Sequence, residues 1–242
     1  MLDMHSHILP GVDDGAKTVD ESLQLLLQMQ SQGISVAVAT VHFYPASVVL
    51  EEFLNRRETA IGSVKKAAGA NLKVKILPGA EVLYFSGIGK FAGIKELTIA
   101  GSKYLLLELL GLKRIDDKVI NDIISIKEEL GLVPIIAHIE RYCRYKGYKK
   151  LISAISEGKA LCQVNATFMG DRTQSRAVSK LLKAGLIDFV ASDCHSPVNR
   201  PVKLAEAYVA LREISSEETS KIIEKTEKLE KELMSLDEKQ NG

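Results

Sequence analysis

The chain is poor in the features that would mark it for export, a membrane or a nucleic acid. It holds three cysteines, Cys143, Cys162 and Cys194, an odd number with no C-x-x-C pair. That pattern gives no disulfide framework and reads as free thiols near strand ends. No apolar run approaches the ~20 residues needed to span a bilayer. The first residues run straight into His5 and His7, with no charged n-region and no apolar h-region, so no secretory signal is expected. The formal net charge is +1. No basic run gathers positive charge, which excludes the electrostatic footprint of a nucleic-acid binder or a membrane-surface protein. These absences point to a cytoplasmic globular protein with no membrane insertion.

Histidine is scarce as well, with five in 242 residues. Each lies at or just past the end of an apolar run: His5, His7, His42, His138 and His195. Histidine is a common metal ligand. In Asp3-Met4-His5-Ser6-His7, the i and i+2 side chains of a strand point the same way, so His5 and His7 can reach one ion.

Strand candidates are Met1–His5, Ser35–Val41, Lys73–Leu77, Tyr104–Glu108, Val133–His138, Leu161–Asn165 and Ile187–Asp193. Helical patterns run over about Val19–Gln32, Ser47–Ala68, Asp116–Leu130, Gly147–Glu157 and Gln174–Ala184. Gly33, Gly131, Gly158 and Gly185 fall just past helix ends, where a left-handed cap is expected. Alternating β and α with near-continuous apolar strands argues for a parallel sheet covered by helices. Seven strands suit a closed or nearly closed barrel. A barrel also gathers the polar strand ends, His5, His42, Glu108, His138, Asn165 and Asp193, at one mouth. A doubly wound sheet would scatter them along an edge. Residues 1–214 read as one barrel domain and 215–242 as a charged helical tail of the same domain. Its stripe Ile222, Leu229, Leu233 and Leu236 is expected to pack on the barrel. Tyr84–Gly101, rich in glycine, reads as a loop or short helix beside the mouth.

The candidate ligands are His5, His7, Asp14, His42, Glu81, Glu108, His138, Asp193 and His195. Nine nitrogen and oxygen donors exceed the needs of one ion, which takes four or five. A cluster of two or three ions about 3.5–4 Å apart suits displacement at phosphorus, with one ion making hydroxide from water near neutral pH. A lone histidine at a strand end is more often a hydrogen-bonded rim residue, and Asp13-Asp14-Gly15 alone is more often a turn. Glu108 and Asp193 sit inside apolar runs, where a carboxylate needs a partner or a metal. Arg141 and Arg200 follow His138 and His195, and a guanidinium fits a phosphate bidentately. The plain reading of either arginine is a surface ion pair, with Glu140 the near partner, but the phosphate role is favoured, more strongly for Arg141 than for Arg200. Cys194 to Arg200 has the C-x5-R spacing of cysteine-dependent phosphatases. Its loop lacks glycine and contains Pro197, and Asp193 would raise the thiol pKa. Cys194 therefore reads as a spacer between ligands.

The ordered set Asp3-Met4-His5-Ser6-His7, Asp13-Asp14-Gly15, Pro78-Gly79-Ala80-Glu81, Ala137-His138-Ile139-Glu140-Arg141-Tyr142, Gln163-Val164-Asn165 and Ser192-Asp193-Cys194-His195 resembles the polymerase and histidinol phosphatase (PHP) superfamily. Within it, the set is similar to the manganese-dependent protein-tyrosine phosphatases of bacterial capsule and exopolysaccharide operons. The resemblance runs from Met1 to about Tyr208. It implies an α/β fold, a distorted (β/α)7 TIM-like barrel, and a trinuclear site. His5, His7, Glu81 and Asp193 would hold one ion. Glu81, Glu108 and His138 would hold a second, and Asp14, His42 and His195 a third. Arg141, Arg200, Asp193 and His195 would be catalytic, with the two arginines on the substrate phosphate. The cofactor would be two or three divalent ions, manganese ahead of iron or zinc. The substrate would be a tyrosine-phosphorylated bacterial tyrosine autokinase controlling polysaccharide export. A small phosphomonoester such as histidinol phosphate or a nucleotide is the alternative. Phe43-Tyr44-Pro45, the short Ser196–Arg200 loop and the Lys/Glu-rich tail depart from the family pattern. The tail leaves a homo-oligomer open.

Overall fold

Short apolar runs, each followed by a capped helix, give the chain a repeating βα backbone. The structure is a computed structural model that describes residues 1–69 and 72–241. Among the described residues the strands are β1 (Leu2–Ser6), β2 (Val36–Ala39), β3 (His42–Phe43), β4 (Lys75–Pro78), β5 (Glu81–Leu83), β6 (Tyr104–Glu108), β7 (Val133–Ile136), β8 (Leu161–Asn165) and β9 (Phe189–Ala191). The helices are α1 (Val19–Ser31), α2 (Leu50–Ala68), α3 (Asp117–Leu130), α4 (Tyr148–Ser156), α5 (Arg172–Lys183), α6 (Leu204–Ile214) and α7 (Ser216–Asn241). Gly242, the end of the expected tail, lies outside the described residues.

All strand pairs are parallel, in the orders β1-β2-β4 and β3-β5-β6-β7-β8-β9. Only Thr40 and Val41 separate β2 from β3, and only Gly79 and Ala80 separate β4 from β5. The nine segments are thus seven staves, two of them broken in the middle. A Cβ on Gly79 would lie 2.8 Å from Val38 Cγ1, so glycine permits the close approach at that break. The two outer staves meet at the mouth. Ser6 bridges Cys194 in parallel, Asp193 N donates to His5 O, and His7 N donates to Cys194 O, both at 2.9 Å. The parallel sheet therefore curls into a distorted barrel, as the alternation of β and α suggests.

Helix starts follow their capping residues. Thr18 accepts from Glu21 N, Asp116 from Val119 N, and Asp171 from Thr173 N and Gln174 N. Gly131 closes α3 in the left-handed conformation, φ 68°. The segment from Tyr84 to Gly101 contains short 3-10 turns, Ile88–Lys90, Ala92–Leu97 and Ile99–Gly101. The helix α6 goes beyond the sequence expectations. Its signal is present nonetheless, since Leu204, Ala207, Tyr208 and Leu211 are buried at helical spacing.

Apolar side chains from staves around the ring, including Met4, Val38, Leu106, Ile135 and Phe189, share one cluster. That convergence is the barrel interior. Leu229 and Leu233 of α7 are buried in the same cluster, so the tail helix closes the end opposite the strand carboxyl termini. No helix among the described residues is long and apolar enough to cross a membrane. Truncating a fully buried leucine costs about 2–5 kcal/mol. Leu233→Ala is therefore expected to lower the melting temperature by several degrees. A calorimetric scan that leaves it unchanged would remove α7 from the core.

Candidate metal centre

Two imidazoles and two carboxylates converge behind the mouth with no room for water between them. His5 Nε2 and His7 Nε2 are 3.1 Å apart. Glu81 Oε2 lies 3.2 Å from the first and 3.3 Å from the second. Asp193 Oδ1 lies 3.4 and 3.3 Å from the same two atoms. All four residues are buried. A tetrahedron with ligand bonds of about 2.0–2.1 Å has edges of about 3.3–3.4 Å. These separations match such a polyhedron.

Two further groups adjoin the first. His7, Asp14, His42 and His195 bring ligand atoms within 4.8 Å of one another, and so do His42, Glu81 and Glu108. Asp14 Oδ1 stands 3.4 Å from both His42 Nε2 and His195 Nε2, and its side chain is 63% exposed. His138 Nε2 sits 2.8 Å from Glu81 Oε1 and 3.3 Å from Glu108 Oε1. Glu81 is thus common to two groups and to His138. The structure brings all nine expected ligand residues together. His7 also stands with Asp14, His42 and His195, and His42 as well as His138 stands beside Glu81 and Glu108.

The ring orientations are fixed from behind. His138 N–H donates to Gln163 Oε1 at 3.0 Å, so that atom is an acceptor. His5 Nδ1, 3.1 Å from the same oxygen, must donate to it, which leaves the lone pair on Nε2 facing the cluster. His195 Nδ1 faces the Asp193 carbonyl at 2.9 Å, with the same result for its Nε2. Asp13 holds His7 Nδ1 at 2.7 Å, and the Tyr142 hydroxyl meets His138 Nδ1 at 3.1 Å. One nitrogen anchored and the other aimed inward is the arrangement of metal-bound histidines. His42 differs, since its buried Nδ1 lies 3.1 Å from Glu81 Oε2 but has no hydrogen-bond partner. An orphaned buried nitrogen beside two carboxylates fits a cation.

The titration behaviour carries the same message. Burial works against ionised Glu81 and Asp193, yet the neighbouring imidazoles hold both well below the usual carboxylate range. Burial opposes protonation of His138, but Glu108 and Glu81 outweigh it and push its pKa up to about 9. Burial and the charge on His7 push His195 down to about 3. Buried carboxylates in this cluster therefore call for positive charge beside them, which divalent ions would supply.

Around this core sit residues that are not ligands but hold them. Asp13 accepts from His42 N as well as holding His7, a role hidden within Asp13-Asp14-Gly15. Gln163, Asn165 and Tyr142 come from segments already singled out, but only the fold shows what they hold. Arg141 Nη2 and Arg200 Nη2 donate to Asp193 Oδ2 at 2.7 and 2.8 Å. Arg141 therefore does not form the surface pair with Glu140. Glu140 is buried, accepts from Asn165 N, and is pushed up to about 7 by that burial. His138 and Asp193 both occupy the left-handed region, φ 34° and 50°. Such backbone is costly away from glycine and accumulates where side chains must be aimed. Cys194 is fully buried, and burial together with Asp3 pushes its thiol up to about 12.

Comparison with known proteins agrees with this geometry. A family model described as capsular polysaccharide synthesis, CpsB/CapC, matches residues 1–229. The tyrosine-protein phosphatase CpsB of Streptococcus agalactiae is 31% identical over 234 residues, covering 92% of this chain and 94% of its own. The tyrosine-protein phosphatase YwqE of Bacillus subtilis is 30% identical over 224 residues, covering 90% and 86%. A solved structure from work on YwqE of Bacillus subtilis and CpsB of Streptococcus pneumoniae, described as metal-dependent tyrosine phosphatases, superposes with a TM-score of 0.77 and 25% identity. It covers 93% of this chain and 92% of that one. The chain belongs to the CpsB/CapC family of capsular polysaccharide synthesis.

Proposed function

We propose that the protein is a metal-dependent phosphomonoesterase acting on protein phosphotyrosine. Its substrate is the phosphorylated tail of a bacterial tyrosine autokinase, and its setting is the cytoplasmic control of capsule or exopolysaccharide synthesis. The observation that carries this reading is the convergence of five histidines and their carboxylates at one mouth, with two guanidiniums at the edge. The family assignment and the names of the relatives support it.

His5, His7, Glu81 and Asp193 would hold one ion, Glu81, Glu108 and His138 with His42 a second, and Asp14, His42 and His195 with His7 a third. We place manganese ahead of iron or zinc. Divalent ions held there would supply Lewis acidity, able to activate water near neutral pH and to neutralise charge on phosphoryl oxygens. Asp193 works in two directions. Its Oδ1 faces His5 and His7, while its Oδ2 accepts from Arg141, Arg200 and Asn165. Arg141 and Arg200 are 27% and 37% exposed. Each keeps further N–H donors with which to take a phosphate. Tyrosine departs as a phenolate with a pKa of about 10, so its oxygen needs less protonation than an alkoxide would. The mechanism needs no protein nucleophile, and the sealed Cys194 thiol is unsuited to be one.

Three outcomes test this reading. Manganese-loaded protein is expected to release phosphate from a tyrosine-phosphorylated kinase-tail peptide faster than from histidinol phosphate or a nucleotide run beside it. The reverse preference would keep the chemistry and discard the protein substrate. His138→Ala and Asp193→Ala are each expected to cut turnover at least about 100-fold, whereas Cys194→Ser keeps most of it. A Cys194→Ser variant as inactive as these two would overturn the assignment. Finally, chelation removes the cations that balance the buried carboxylates. Ions present at 100 times their Kd contribute about 2.7 kcal/mol, so the melting temperature should fall by about 5–10 °C. A melt indifferent to chelator and to added manganese would argue against resident ions.

A further inference from the structure

A cavity lies away from the metal ligands, between α4 and α5. The two helices border a crevice of about 710 Å³. Ile152, Ala177, Leu181 and Leu186 give it apolar walls, and Lys149, Arg176 and Lys180 bring positive charge to it. Among the described residues no aspartate or glutamate lines it. None of the three cations makes an ion pair among the described residues, although Lys150, the neighbour of Lys149, pairs with Asp117. The nearest helix cap, Asp171, is engaged by Thr173 N and Gln174 N. Tyr148 forms part of the wall, and its buried hydroxyl has no hydrogen-bond partner.

The lining residues Cys143 and Thr173 set the crevice beside the turn that carries Arg141. Cys143 follows the turn Ile139–Tyr142 that carries Arg141, and Arg144 in the next position donates to Thr173 Oγ1. A chain whose phosphorylated residue sat against Arg141 would find the crevice as its adjoining surface. Unpaired cations over apolar walls favour a partner that is both acidic and apolar, because complementary charge guides the encounter and apolar burial holds it.

We propose that the crevice between α4 and α5 docks an acidic, apolar segment flanking the phosphorylated residue of the polypeptide substrate. The proposal rests on the phosphotyrosine phosphatase reading given above and adds the recognition element.

The test uses the full-length, manganese-loaded protein and three substrates. These are a phosphotyrosyl peptide with acidic and apolar flanks, the same peptide with neutral polar flanks, and p-nitrophenyl phosphate. In the Lys149→Glu, Arg176→Glu, Lys180→Glu triple variant, KM for the acidic peptide should rise roughly tenfold with kcat unchanged. Kinetics with the other two substrates should not move. Wild-type KM for the acidic peptide should rise with salt, and the variant should lose that dependence. The glutamine triple variant removes the charge without reversing it and should shift KM in the same direction by less. Ala177→Phe fills the crevice without altering charge and should also raise KM. If wild type hydrolyses all three substrates and the acidic peptide is indifferent to every variant, the groove is not its docking site, and the phosphatase reading stands. If those variants instead lose binding to phosphatidylglycerol vesicles alone, the surface belongs to a membrane and the proposal falls. If wild type hydrolyses no phosphotyrosyl substrate, the parent reading fails and the proposal falls with it.

Discussion

A buried carboxylate stays ionised only with positive charge beside it, and three of them crowd the mouth of this barrel. Glu81, Glu108 and Asp193 are each almost wholly buried, within reach of imidazoles rather than solvent. The cost of removing such groups from water is large unless they are paired or coordinate an ion. The rest of the site is organised around that constraint. Four of the five histidines are turned with one nitrogen inward, and an amide, a carboxylate, a hydroxyl and a backbone carbonyl hold the other nitrogen. Two arginines then close the exposed edge. Asp193 links the two charge systems, since one oxygen faces the histidines and the other the guanidiniums.

The barrel supplies the convergence that this chemistry needs. Parallel strands place their carboxyl ends on one rim, so residues scattered from His5 to His195 become neighbours. The breaks after Ala39 and Pro78 serve the same end. Each lets a stave resume in β3 or β5, where His42 pairs in register with Glu81. An unbroken strand carries its side chains in strict alternation. A break re-aims the residues beyond it.

Much of this was legible in the chain itself. The apolar runs locate the staves, and the polar residue ending most of them marks the rim. Glu108 and Asp193 stand out because carboxylates rarely occupy such apolar runs. The supporting residues were harder to read. Asp13 looks like a turn residue, and Gln163 and Tyr142 look like ordinary core polar groups. Their roles depend on which ring nitrogen they meet, and that is set by tertiary geometry. The left-handed backbone at His138 and Asp193 leaves no mark in residue type, because neither is glycine. Arg141 shows the same limit, since its neighbour Glu140 is near in sequence but Asp193 is its partner in space.

The position of α7 also governs traffic. Leu229 and Leu233 lie in the apolar cluster of the barrel interior and give it a floor. The barrel axis is therefore not a passage, and whatever reaches the ligand cluster arrives and departs over the same rim. With its floor sealed, the vessel has a single doorway, and the residues on the rim are those that every visiting molecule must pass.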